Sequence, residues 1–229
     1  MQSREVFLVF WGVPLDSPRR DHPGIYHELL FSDGQRTLQV LLLDTRTFRD
    51  DLVPNGEAPL PPHKNDYRPN LDPRATILGE AQWAWLEQRL LVPADLRIVA
   101  TSIQFGHSYN GWESWTIVPH ERDRLIDAIL RTRANGVVFV SGDVHWGEIS
   151  RQDVEGGYPL YDLTASGINQ DWDFIEPNAR RVGAAVAEYN FGLIEIDWSR
   201  DDPTVALTSV DVEGNVRNRV ALTLSTLRF

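Results

Sequence analysis

An aspartate and a histidine stand two positions apart, directly after a run of strand-type apolar residues. In the stretch VVFVSGDVHWGEIS (137–150), Asp143 and His145 follow the pair Ser141-Gly142. Side chains at i and i+2 of an extended segment point to the same side, so we expect these two to converge just past a strand end. A carboxylate and an imidazole there suit a divalent or trivalent metal ion. They can equally form a general base with its orienting carboxylate. An aspartate turn cap beside a structural histidine is the non-functional alternative.

Two further residues are candidates for contacting a substrate. Arg46 follows the apolar run TLQVLLL, and its guanidinium can hold a phosphate through two hydrogen bonds. A surface ion pair with Asp44 or Asp50 is the alternative. His107 lies in a loop after another apolar run, where binding residues often lie. The same loop carries further aromatic residues, which can also be ordinary packing: Tyr109, Trp112 and Trp115.

Glu148 lies three positions beyond His145 and allows two interpretations. It can hold an imidazole N–H from behind and so orient the ring. A salt bridge to Arg151 is the alternative. The eight tryptophans are dispersed and are interpreted as core residues rather than as a sugar-binding platform.

The elements that must position these residues follow from hydrophobic periodicity. Alternating strands and helices followed by strands alone predict a layered α/β fold, with a largely antiparallel end, in a single domain over residues 1–229. The proline-rich stretch 48–73 predicts a long surface loop. The apolar N-terminal segment 1–15 is interpreted as part of the core. We expect strands at 37–43, 96–105, 137–140, 161–165 and 220–227, a hairpin from 190–198 and 205–212, and helices at 82–91 and 119–133.

Composition excludes several classes of function. The net charge of −11 argues against binding to nucleic acid or to an anionic membrane, because both would repel the chain. The absence of cysteine excludes disulfides, thiolate metal sites and a cysteine nucleophile. No apolar run approaches the roughly 20 residues of a membrane span, and the N-terminus shows no signal-peptide cleavage pattern. The compartment stays open.

Several strings in a fixed order resemble one family, the alkaline phosphatase D (PhoD-like) metallophosphoesterases. The segment 10–31 also resembles part of that family. The strings are LLLDTRTFRD (41–50), LGEAQWAWLEQRL (78–90), SIQF (102–105) with the later GWESW and PHERDRL, SGDVHWGEIS (141–150), YDLTASGIN (161–169), and EPNARRVG through NFGLIEIDW (176–198).

The resemblance implies a metallo-dependent phosphatase-type α/β/β/α sandwich with a two-metal or mixed iron–calcium site. It implies that Asp143 and His145 are metal ligands and that the substrate is a phosphate ester. A metal-activated hydroxide would then hydrolyse a phosphomonoester or phosphodiester. The family is usually exported.

The chain departs from the family pattern at the metal site. The early ligand motifs, including a G-D-x-x-Y string, are missing, and Gly142-Asp143 is the only Gly-Asp pair. We therefore expect the C-terminal part of such an enzyme, incomplete at its N-terminal strands. The alternatives are a non-catalytic member with half a metal site and a binding module that uses the aromatic loop. Missing strands would expose a sheet edge, which predicts self-association.

Overall fold

The structure, a computed structural model, describes residues 2–56 and 66–229. In the described part of the chain, three α-helices are interspersed among strands up to residue 132, and the rest consists mainly of strands. The helices are α1 (Gln2–Phe10), α2 (Gly79–Leu90) and α3 (Pro119–Thr132). The strands are β1 (His27–Ser32), β2 (Thr37–Leu42), β3 (Val53–Pro54), β4 (Tyr67–Arg68), β5 (Leu96–Ala100), β6 (Val137–Ser141), β7 (Gly147–Gln152), β8 (Leu160–Ala165), β9 (Arg181–Val186), β10 (Asn190–Asp197), β11 (Thr204–Asp211) and β12 (Val216–Thr223).

Seven of these strands form one large sheet in the order β1-β2-β5-β6-β8-β7-β9. Its centre is parallel, because β2, β5, β6 and β8 pair in the same direction. The connections from β2 to β5 and from β5 to β6 run through α2 and α3. Right-handed crossovers of this kind place both helices on one face of the sheet. The parallel strands therefore end at one edge, where Arg46 and Asp143 follow β2 and β6.

Apolar periodicity explains the helix that covers this sheet. In α2, Trp83, Leu86 and Leu90 recur at helical spacing and are all buried. The side chain of Gln39 in β2 donates a hydrogen bond of 2.9 Å to the carbonyl of Arg89, which shows which face of the sheet α2 covers.

The opposite face carries the smaller antiparallel sheet β10-β11-β12. Gly192 in β10 lies so close to the large sheet that a Cβ there would be 3.0 Å from the Ala165 Cβ and 3.1 Å from a Leu163 methyl carbon. The layers are thus helices, large sheet and small sheet. This agrees with an α/β sandwich and corresponds to the first three layers of the predicted α/β/β/α arrangement.

The predicted elements agree with the structure best where the periodicity is strong. The strand at 37–43, both helices and the hairpin of β10 and β11 are confirmed within a few residues. The strand expected at 96–105 ends at Ala100, and the one expected at 220–227 instead spans Val216–Thr223. Strands β1, β7 and β9 were not predicted. In the proline-rich stretch, β3 pairs with β4, and residues 57–65 lie outside the described residues.

The N-terminal segment is not the core segment that its apolar composition predicts. It forms α1, in which Leu8 is fully buried but Val6, Val9 and Phe10 are exposed. The side chain of Arg4 holds this helix to the following turn through the carbonyls of Arg19, His22 and Gly24.

Part of the large sheet is left uncovered by the smaller sheet. An open groove of about 510 Å³ runs from the ends of β2, β5 and β6 to Gly192 and Ile194 of β10. Leu30 and Phe31 of the edge strand β1 are also about half exposed, at 49% and 55%. Self-association through such an edge stays a prediction, as does a single domain over 1–229. No helix among the described residues is long and apolar enough to cross a membrane.

Candidate active site

The loop after β6 brings Asp143 and His145 to one pocket in an unusual backbone conformation. Both residues have positive φ angles, 76° and 65°. The extended geometry predicted for them is therefore wrong, because the chain bends sharply after Ser141. The loop is tied to β8 and to the residue that follows it: the Ser141 hydroxyl donates to Asp162 at 2.8 Å, and the His145 N–H donates to Ser166 Oγ at 2.7 Å. Non-glycine residues in this region are strained, and such strain is most common at functional sites.

Arg46 is positioned by a tight turn that follows β2. The buried Asp44 carboxylate accepts hydrogen bonds from the backbone N–H groups of Arg46 and Thr47, each at 2.9 Å, and from Ile25 N–H at 2.9 Å. Burial alone would raise the pKa of Asp44, but these bonds and the Thr47 hydroxyl outweigh it and lower the pKa. Gln82 of α2 holds the same turn through the Asp44 backbone, with both hydrogen bonds at 2.8 Å.

The Arg46 guanidinium joins two carboxylates at the mouth of the pocket. It donates to Asp143 Oδ1 at 3.1 Å and forms an ion pair with Glu113. Arg49 also lies 3.0 Å from the Glu113 carboxylate. Burial raises the pKa of Asp143, and the negative charge of the nearby Glu113 raises it further. Arg46 and His145 act to lower the pKa of Asp143. The alternative surface pairing of the Arg46 side chain with Asp44 or Asp50 is not what the structure shows.

These groups share one cavity of about 280 Å³. The cavity is open to solvent, and the Asp143 side chain is 35% exposed. Carboxylates, a guanidinium, an imidazole and aromatic rings line it together: Arg46, Tyr67, Trp112, Glu113, Asp143, Val144, His145, Trp146 and Trp172.

His107 does not line this cavity. It is fully buried, accepts a hydrogen bond from the Tyr109 N–H at Nδ1 (3.1 Å), and its Nε2 lies 3.7 Å from Glu148. Its ring is 6.5 Å from that of Trp146, so it lies behind a residue of the pocket lining. Contact between His107 and a substrate stays a prediction.

Glu148 belongs to a buried network rather than to either interpretation drawn from the sequence. It accepts hydrogen bonds from Gln104 at 2.8 Å and from Arg181 at 2.5 Å. Arg151 instead pairs with Asp153 at the surface. The Gln104 amide oxygen accepts from Asn110, and so connects this network to the aromatic loop.

Asp162 of β8 connects the loop after β5 to the loop after β6. It accepts hydrogen bonds from the backbone N–H groups of Phe105 and Gly106, at 2.9 and 2.7 Å, and from Ser141. Burial raises its pKa to about 6 despite these bonds. Its position sets the relative placement of the two loops that carry the candidate site.

The residues present do not form a metal centre by themselves. Within 2–56 and 66–229, no three His, Cys, Asp or Glu side chains converge as a metal-binding group. Two of the expected metal ligands, Asp143 and His145, line the cavity. The Asp143 carboxylate, however, accepts a hydrogen bond from the Arg46 guanidinium. A stable metal site requires more ligands than this pair supplies.

Five residues of the cavity lining were not identified from the sequence as candidates: Tyr67, Glu113, Val144, Trp146 and Trp172. Glu113 lies in the string GWESW, but nothing in its local pattern indicates that it meets Arg46. The interpretation of the tryptophans as core residues is correct for Trp83, Trp115 and Trp146, which are buried. It is wrong for Trp112 and Trp172, which line the cavity, and for Trp11, which is 64% exposed.

Fold and pocket place the chain among layered α/β proteins whose polar side chains gather where parallel strands end, the position at which such sheets bind ligands. The model of one family, described as PhoD-like phosphatase, matches residues 11–190. The chain belongs to this family.

Two relatives agree with this assignment. Alkaline phosphatase D of Bacillus subtilis (strain 168) is 34% identical over 113 residues, which cover 45% of this chain and 18% of that protein. A solved structure titled "Structure of PhoD" matches with a TM-score of 0.57 at 20% identity, over 87% of this chain and 40% of the other. The chain thus spans less than half the length of either relative.

Proposed function

We propose that this chain forms one side of a phosphoesterase active site, with Arg46 contacting the phosphate and Asp143 and His145 at the reacting centre. Membership in a phosphatase family supports a phosphate ester as the substrate. The observation that carries the assignment of residues is the convergence of Arg46, Asp143 and His145 on one cavity although two of them lie in a strained loop.

Each of the three residues has a chemical role that its type supports. A guanidinium matches the geometry of two phosphate oxygens and stabilises the charge they carry during phosphoryl transfer. In the structure the same group neutralises Asp143 and Glu113, so a bound phosphate would compete with these carboxylates for it. His145 can donate or accept a proton, and Asp143 can orient it or act as a ligand.

Metal dependence is part of the proposal, with divalent or trivalent ions, iron and calcium among them, as the family resemblance implies. Asp143 and His145 would be two of the ligands. The described residues do not complete a metal site, so further ligands would be needed to hold such an ion.

A second candidate function follows from the same observation. The chain would then be a non-catalytic member that retains half a site, and it would bind a phosphate ester without turnover. The pairing of Asp143 with Arg46 favours it, because this pairing satisfies the carboxylate without any metal.

One experiment separates the two candidates. Metal content of the purified chain is measured by elemental analysis, together with hydrolysis of nitrophenyl phosphate and of its bis-ester. Stoichiometric metal with turnover that is lost in His145→Ala would support the phosphoesterase. His22→Ala is the matched control, because His22 stacks on Tyr26 and does not line the cavity. Absence of both metal and turnover would support the second candidate, a non-catalytic member that retains half a site.

A further inference from the structure

The cavity that holds Arg46, Asp143 and His145 has aromatic walls. Trp112 and Trp172 meet edge to face with ring centroids 6.5 Å apart. Trp172 also meets the His145 ring edge to face at 6.0 Å. Tyr67 and the buried Trp146 complete the lining. Planar apolar surface therefore lies directly beside the groups assigned to the phosphate.

The walls come from separate segments that hydrogen bonds join together. The Trp112 N–H donates to Asn110 Oδ1 at 2.8 Å, and its indole N–H donates to Glu176 at 3.4 Å. The Tyr67 N–H donates to the Gly111 carbonyl at 3.0 Å, and the Tyr109 hydroxyl donates to the Tyr67 carbonyl at 3.0 Å. The Trp112 ring, held at its backbone and at its indole N–H, therefore loses little conformational freedom when a ligand binds.

Charge and size restrict what such walls can accept. Among the described residues that line the cavity, the carboxylates of Asp143 and Glu113 are both paired with guanidinium groups, so these two do not form an uncompensated negative pair that would favour an organic cation. A volume of about 280 Å³ lies at the lower end of ligand pockets, which begin at about 300 Å³. One planar ring system and a phosphate would fill it.

We infer that the aromatic walls bind the alcohol part of the substrate and that this part contains a planar aromatic ring. The substrate class is then phosphate esters of aryl alcohols or of ring-bearing groups such as nucleosides, with the phosphate at Arg46 and the ring at Trp112 and Trp172. This inference rests on the proposed function, since it uses the same site. It also explains why two tryptophans lie in loops at a surface cavity rather than in the core.

Binding without turnover tests the inference, because it does not require a complete catalytic centre. Titration calorimetry would compare phenylphosphonate with methylphosphonate, which carry the same charged group. We expect phenylphosphonate to bind the full chain at least tenfold more tightly, a difference of about 1.4 kcal/mol. Trp112→Ala and Trp172→Ala should remove this preference by weakening phenylphosphonate binding much more than methylphosphonate binding.

Controls separate the ring site from the phosphate site. Trp11→Ala removes an exposed tryptophan outside the cavity and should keep the preference. Arg46→Met should weaken both phosphonates by a similar factor. Adenosine monophosphate compared with ribose 5-phosphate distinguishes a nucleobase from a simple aryl ring. Preference for ribose 5-phosphate over phenylphosphonate would overturn the inference in favour of a sugar site.

The two proposals fail in different ways. Equal binding of the two phosphonates overturns the aromatic subsite but leaves the phosphoesterase proposal intact. If neither phosphonate binds and no ester is hydrolysed, both proposals are wrong.

Discussion

Two clusters of charged side chains lie close together in this protein, and they differ in burial and in strain. Around Glu148, the carboxylate is fully buried and bonded to Gln104 and Arg181. Around Asp143, the carboxylate is 35% exposed, and its backbone has a φ of 76°. The first cluster fixes the strands β7 and β9 and the aromatic loop to one another, whereas the second faces a cavity.

The difference shows how the fold separates stability from chemistry. Buried charges must be paired, because an unpaired one costs several kcal/mol. A half-exposed ion pair contributes about 0–1 kcal/mol to the stability of the fold, so a ligand can displace one of its partners with little loss of stability. The Asp143 cluster is therefore able to exchange Arg46 for a phosphate, and the Glu148 cluster is not free to change in this way.

The largest expected effect is in the buried cluster. Glu148→Ala leaves Arg181 and Gln104 without their carboxylate, and we expect it to lower the free energy of unfolding by roughly 3 kcal/mol. Glu195→Ala is the matched control, because its pair with Arg219 at 2.6 Å is about half exposed and should cost less than about 1 kcal/mol. Urea unfolding of both variants measures the difference. Equal losses of unfolding free energy in the two variants would contradict the proposed difference between the buried and the exposed ion pairs.

The buried carboxyl group of Asp162 makes the stability of the fold depend on pH. In the folded protein the pKa of Asp162 is about 6, above the ordinary aspartate value of 3.8. Its contribution to stability is therefore complete below pH 4 and is lost as pH rises through 6. Asp162→Asn removes this loss while keeping an acceptor for Phe105 and Gly106. We expect the variant to gain on the order of 3 kcal/mol relative to the parent between pH 4 and pH 7.

Unfolding curves at several pH values measure this gain. Asp44→Asn should behave in the opposite way, because hydrogen bonds lower the pKa of Asp44 and its carboxylate stabilises the fold at neutral pH. A parent stability that does not fall relative to Asp162→Asn over this range would contradict the assignment.

Backbone strain at the candidate site predicts a smaller effect of opposite sign. Asp143→Gly should raise the free energy of unfolding by about 0.5–1 kcal/mol, because glycine accepts a φ of 76° without strain. Asp153→Gly is the control, since Asp153 is exposed and is not among the residues with positive φ. That variant should lose stability instead. Thermal unfolding of both variants distinguishes strain from a general effect of glycine.

The smallest expected change in stability is at Arg46. Its ion pairs are partly exposed, so Arg46→Met should change the free energy of unfolding by less than about 1 kcal/mol. The same variant should weaken phosphonate binding at least tenfold in calorimetry, because the anion loses its guanidinium. A stable variant that still binds phosphonate would show that Arg46 is a structural residue.

The sequence by itself determined the central strands and helices and the position of the candidate site. The apolar runs of β2 and β6 and the spacing of Trp83, Leu86 and Leu90 are local signals, and they suffice because each describes one face of one element. A polar residue that follows a parallel strand lies at the sheet edge where such folds bind ligands, so Arg46 and Asp143 were found as well.

The tertiary structure alone decided how these residues meet. Strands β7 and β9, with sequences GEISRQ and RVGAAV, carry little apolar alternation, and pairing with neighbouring strands places them in the sheet. Arg46 reaches Asp143 across 97 positions of the chain, and Glu113 and Trp172 join them from two other loops. No local pattern encodes such contacts, because they depend on where separate strands end in space. The left-handed bend at Asp143 has the same origin, since its hydrogen bonds come from β8 and the residue that follows it.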